Sequence, residues 1–139
     1  MVDAQHDVKK DRPVYRNIGL AQLVKYRLPW AGKVSILHRI SGAVLFLLLP
    51  FILYLLDQSL ASEMSYQKFQ VFTSNILVKI ICLGLIWCFL HHFCAGIRYL
   101  LLDLEIGVEK SEANRSAIFV LFLGLALTAV VGLKLFGLY

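Results

Sequence analysis

The chain has 139 residues, of which 59% are apolar and 17% charged, with a net charge of +5 and a mean hydropathy of +0.72. A soluble domain of this size carries about 45–50% apolar and roughly 25% charged residues. The excess is membrane-protein composition, and it disfavours a disordered chain, a secreted disulfide scaffold and a soluble enzyme.

Eight basic residues precede the first long apolar run: Lys9, Lys10, Arg12, Arg16, Lys25, Arg27, Lys33 and Arg39, against three aspartates. The positive-inside rule accounts for this arm, so a nucleic-acid partner is not expected and the N-terminus is read as cytoplasmic. Residues 1–33 contain no apolar run of the length a cleavable signal needs, so span one is expected to direct insertion. Gly19 to Gly32 mixes Leu20, Leu23, Val24, Tyr26, Leu28 and Trp30 with Lys25 and Arg27, and Pro29 interrupts any continuous helix. A short interfacial segment is predicted there.

Three charge-free runs follow, Ile40 to Leu56, Ile80 to Ile97 and Ser116 to Leu133, of 17, 18 and 18 residues. Each lies near the lower limit for a membrane-spanning helix, about 17–25 residues. The fold class is therefore an all-α membrane protein with three transmembrane helices running up, down and up. It forms one anchor domain over 1–139, with an arm at 1–33 and spans at about 35–57, 74–102 and 114–136. Asp57 to Thr73 becomes an outer loop with one cation, Lys68. Asp103 to Arg115 lies inside, and the C-terminus lies outside. Pro50 falls within span one, where neighbouring helices can compensate for its missing hydrogen bond.

At the start of span one stands Ser35-Ile36-Leu37-His38-Arg39-Ile40-Ser41-Gly42. Ser35 and Arg39 share a helix face, and His38 lies one turn above Ser35, so hydroxyl, imidazole and guanidinium gather at one membrane depth. Ionisable groups at that depth suggest a functional site. The alternative is that Ser35 caps the helix while His38 and Arg39 meet lipid phosphates. Arg39 and Arg98, at the inner ends of their helices, read by default as snorkelling arginines, and Lys79 and Lys134 as their outer counterparts.

Span two carries Cys82, Cys88 and Cys94, read as small apolar packing residues, and the sequence His91-His92-Phe93-Cys94-Ala95-Gly96-Ile97-Arg98-Tyr99. His92 lies 11 residues before Asp103, about 16 Å along the helix axis. An imidazole so deep needs a hydrogen bond or a metal. It belongs to a ladder, Gly84, Cys88, His92 and Gly96, whose small members leave a flat recess of the shape a porphyrin edge needs; the alternative is a tight helix contact with His92 bonding across it. His91 points about 100° away, so only one of the pair faces a given ligand. Since a six-coordinate b-type haem takes two axial ligands, either the iron is five-coordinate or a second polypeptide donates a histidine. Span three bears Gly124, Thr128 and Gly132 and reads as a packing helix.

These residues together resemble the cytochrome b556 family, the larger membrane anchors of bacterial succinate dehydrogenases. The resemblance covers about Arg12 to Asp103 through Arg12-Pro13, Ser35-Ile36-Leu37-His38-Arg39 with Ser41-Gly42, His92, Gly96-Ile97-Arg98 and Asp103. It implies that His92 is the haem b axial ligand and that the smaller membrane-anchor subunit supplies the second histidine. It further implies that Ser35 and Arg39 hold a quinone, with Leu28 and Trp30 at the pocket mouth, and that His38 and Arg39 lie near the haem propionates. The implied setting is the bacterial inner membrane, among lipid, beside an iron–sulfur subunit and a flavoprotein subunit, with no catalysis by the chain alone. Tyr99 stands where many relatives have histidine, and His91 is additional. The competing functions are an anchor of the fumarate reductase type and a non-redox membrane adaptor or transporter subunit.

Overall fold

The computed structural model describes residues 19–138; Lys9, Lys10, the Arg12-Pro13 pair, Arg16 and Tyr139 lie outside the described residues. Five helices follow in order: α1 Leu20–Lys25, α2 Trp30–Leu60, α3 Glu63–Ser74, α4 Ile76–Asp103 and α5 Lys110–Leu135. No strand occurs among the described residues. Helices α2, α4 and α5 are each long and apolar enough to cross a membrane, so the chain is an all-α, multi-pass membrane protein.

Pro29 separates α1 from α2 and is itself the N-cap of α2, with φ −63° and ψ 161°. A proline at this boundary sacrifices no helical hydrogen bond, because the first N–H groups of a helix have no internal acceptor. It also has no side chain that can cap. The missing acceptor arrives from α5: the Ala31 backbone N–H donates to Asn114 Oδ1 at 3.1 Å. The start of α2 is thus tied to the first turns of α5 across 83 residues of chain. Losing a capping acceptor costs about 1 kcal/mol. Asn114→Ala is expected to lower the thermal unfolding midpoint of the purified protein accordingly, with Asn114→Asp retaining most of it; equal midpoints for wild type and Asn114→Ala would show that the bond contributes nothing.

This start at Trp30 corrects one expectation. Ser35 lies five residues inside α2 and is not its cap. The connection from α2 to α4 also differs from a simple loop, because α3 occupies most of it. Ser62 and Ser65 form a reciprocal capping box, each hydroxyl accepting from the other's backbone N–H, and Asn75 then caps α4 by accepting from Leu77 N–H at 2.9 Å. Helix α2 continues through Pro50. The return from α4 to α5 places Glu105 at φ 61° and Gly107 at φ 73°.

Packing follows the small residues. The buried face of α5 is Ala117, Val120, Gly124, Thr128 and Gly132, so the small ladder read from span three is the face that meets α4. A Cβ at Gly124 would lie 3.4 Å from His91 Cα, and one at Gly132 would lie 3.0 Å from Leu83 Cδ1. Thr128 returns its hydroxyl to Gly124 O at 2.7 Å. The central cluster is Val34, Cys94, Ala95, Ala117 and Val120. Small side chains dominate because lipid solvates large apolar groups as well as protein does, leaving close backbone approach as the source of cohesion. Large side chains such as Phe46, Leu47, Phe119 and Phe122 accordingly point outward. Lys79 Nζ lies 5.8 Å from the Phe136 ring centre, which brings the beginning of α4 and the end of α5 to the same end of the bundle.

Candidate functional site

His92 joins α4 to α2. Its Nδ1 lies 3.0 Å from His38 O and 3.3 Å from Ser41 Oγ, while Ser41 Oγ itself donates to His38 O at 2.9 Å. A carbonyl can only accept, so Nδ1 carries the proton and Nε2 carries a lone pair. Nε2 forms no hydrogen bond with the described residues, nor is it sealed inside the chain. A deep imidazole with one nitrogen fixed by backbone and the other open is equipped to bind a metal.

Two further contacts fix the plane of this ring. His38 lies face to face on His92 with centroids 4.1 Å apart and planes 5° from parallel, and Tyr99 closes over His38 at 5.0 Å. On the edge, Gly42 provides the space: a Cβ built there would stand 2.7 Å from His92 Cε1. Of the ladder read along α4, Gly96 receives the His38 ring, whose Nε2 would be 3.7 Å from an added Cβ, and Gly84 faces open space. The recess beside His92 is therefore filled on its inner side by the chain's own His38 and open toward Gly84.

His91 faces the opposite way. It is fully buried, stacks on Trp87 at 5.3 Å, and backs onto the bare surface of Gly124. Both its ring nitrogens are enclosed without a hydrogen-bond partner. The adjacent imidazoles thus part as their helical angle requires, one into the α4–α5 seam and one toward α2.

Arg98 departs from its expected place. It is 5% exposed, so it does not snorkel; its Nε donates to Ser116 Oγ and its Nη2 to Ala113 O, both at 2.9 Å. Arg39 is exposed and Ser35 half-buried, with no hydrogen bond to either among the described residues. Leu28 is half-buried with its Cδ2 over Gly32, and Trp30 lies beneath Lys33 Nζ at 4.4 Å. On the opposite side of His92 from this cluster, an apolar groove of about 570 Å³ runs between α2 and α4, with Leu45, Ile52, Leu85, Ile86 and Phe89 among its walls.

The family model of the succinate dehydrogenase/fumarate reductase transmembrane subunit matches residues 9–131. The chain belongs to this family. Curated relatives agree: it is 38% identical over 112 residues to a succinate dehydrogenase cytochrome b556 subunit of Coxiella burnetii, covering 78% of this chain and 90% of that protein. It is 31% identical over 114 residues to the subunit of the same name from Paracoccus denitrificans, covering 82% and 87%. A third, from Rickettsia felis, is 24% identical over 131 residues, covering 94% and 98%. As a succinate dehydrogenase/fumarate reductase transmembrane subunit, the chain is one component of a complex.

Within that family setting, four positions matter that sequence reasoning did not assign. Gly42 makes room for His92, Ser41 joins its hydrogen bonds, Asn114 caps the helix that carries both, and Ser116 receives Arg98. Ser41 and Gly42 were visible as a small pair seven and eight residues after Val34, but nothing in one helix states which residue its neighbour will press against it.

Proposed function

We propose that the chain is the haem-bearing larger membrane anchor of a succinate:quinone oxidoreductase, with its N-terminus in the cytoplasm of a bacterium and its C-terminus in the periplasm. It acts as one anchor domain over 1–139, joined by a smaller anchor, an iron–sulfur subunit and a flavoprotein subunit. The observation that carries this reading is the state of His92: proton on Nδ1, held by His38 O at 3.0 Å, and a lone pair on an open Nε2.

That donor set fits a b-type haem. His92 Nε2 would bind the haem iron from this chain, a histidine of the smaller anchor would bind it from the other side, and His38 with Arg39 would hold the propionates. When bound, the haem supplies a reversible one-electron carrier. His38 O fixes the tautomer and plane of His92, and Ser41 reinforces that carbonyl–imidazole pair. His91 is unsuited to the role because both its nitrogens are walled in.

Quinone is assigned to Ser35 and Arg39, with Leu28 and Trp30 at the apolar mouth. The Ser35 hydroxyl donates to a quinone carbonyl, and Arg39, unspent in internal bonds, offsets negative charge as the ring is reduced. The exposed position of Arg39 suits proton uptake from water at the cytoplasmic face.

The test uses the chain co-purified with its partners. A reduced-minus-oxidised b-type spectrum is expected; a well-folded, colourless complex would overturn the haem assignment. Ser35→Ala and Arg39→Ala are each expected to lower quinone reduction by at least about tenfold, the loss of a charge-assisted bond to the reacting group, while the haem band persists. Unchanged turnover in both variants would remove the quinone assignment.

A further inference from the structure

Arg98 is the only ionised side chain that is buried among the described residues. Both its hydrogen bonds end on neutral oxygens, Ser116 Oγ and Ala113 O, so no carboxylate neutralises it there. The oxygens belong to the first turns of α5, which begins at Lys110. The N-terminal end of a helix carries partial positive charge, so α5 brings the guanidinium no compensating negative charge. A tie between two helices has no need of a full charge, since a neutral amide would serve.

The charge has a path to His92. The Arg98 guanidinium carbon lies 5.3 Å from the Tyr99 ring centre, Tyr99 lies 5.0 Å from His38, and His38 lies 4.1 Å from His92. The Tyr99 hydroxyl is itself enclosed without a partner, so two rings, those of Tyr99 and His38, stand between the guanidinium and the imidazole. Arg98 and His92 are six residues apart on α4, about 9 Å along the axis.

We propose that Arg98 sets the redox potential of the haem on His92, its unpaired buried charge favouring the reduced form. The inference rests on the reading of His92 as an axial ligand. A fixed cation lowers the energy of an added electron, and over roughly 10 Å at an effective dielectric constant of about 20 the effect on the reduced-to-oxidised ratio is about tenfold. Arg98 touches neither haem nor quinone; it acts across Tyr99 and His38 as a positioning residue whose effect is electrostatic.

The experiment is a potentiometric titration of the b-type band in the intact complex. Arg98→Gln is expected to cut the reduced-to-oxidised ratio at a fixed ambient potential by about tenfold, and Arg98→Lys, which keeps the charge, to restore it. Ser116→Asp provides a variant that keeps the inter-helix tie and pairs the guanidinium with a carboxylate; it is expected to shift the potential in the same direction as Arg98→Gln. Ser116→Ala, which removes one bond and leaves the charge, is expected to leave the potential in place. An unchanged potential in Ser116→Asp, or equal shifts in Arg98→Gln and Arg98→Lys, overturns the proposal. Absence of any b-type band in the wild-type complex would instead be the failure of the haem assignment, so the two are told apart in one preparation.

Discussion

His92→Ala is expected to abolish the b-type difference spectrum of the purified complex, and His91→Ala to preserve it. The two substitutions delete the same group from adjacent positions, so the contrast isolates direction from chemistry. His92 offers an open Nε2 beside α2, whereas His91 is fully buried with both nitrogens enclosed in the seam with α5. Removing His91 breaks no side-chain hydrogen bond among the described residues. It does remove a ring stacked on Trp87, and a void left in a close-packed seam costs about 2–4 kcal/mol, so a lower thermal midpoint is expected with the band intact. A band retained in His92→Ala, or lost in a folded His91→Ala complex, would reverse the assignment of the ligand.

Much of this architecture is legible in the sequence because the membrane imposes it. The three charge-free runs mark α2, α4 and α5, although each helix extends past its run, α2 reaching from Trp30 to Leu60, because lysine and arginine stems can carry charge to the surface. The Gly124, Thr128 and Gly132 ladder was readable because spacing by four marks one helix face. Helix α3 was not readable as a helix: its capping box employs a second serine where glutamate or glutamine is usual, and its apolar residues are too interspersed with polar ones to form a long run.

The site was legible in its residues and not in their pairing. Helical angles separated His91 from His92 without any coordinates. They do not state which neighbouring helix each side meets, so the turning of Arg98 into α5, and of the His38 ring onto His92, had no signal in one chain's periodicity. Glycine is the extreme case. Gly42 and Gly84 both sit in apolar helices, yet one faces an imidazole edge and the other open space, a difference that resides wholly in how α2 and α4 cross.

Gly42→Ala is therefore expected to reduce the b-type band to a small fraction of wild type, although the change is a single methyl group. By helix propensity alone alanine is favoured over glycine by about 1 kcal/mol, so the local effect on α2 is stabilising. The tertiary effect is opposite and larger. The added Cβ would stand 2.7 Å from His92 Cε1 and 3.2 Å from Nδ1, well inside contact distance, and the ring has little room to retreat. His38 covers one face at 4.1 Å, and the Nδ1 bond to His38 O anchors the ring to the same helix that carries the new methyl. Relief requires either that α2 and α4 move apart or that the imidazole turn, which breaks the Nδ1 bond and re-aims Nε2. Both outcomes remove the ligand from its line of approach. Gly132→Ala is the matched control: its Cβ would meet only Leu83 Cδ1, at 3.0 Å, the far end of a side chain nine residues from His92, so the band should be unaffected. Full band intensity at an unchanged potential in Gly42→Ala would mean that the close approach of α2 does not hold His92 in place, and that its orientation is imposed from the partner subunit's side.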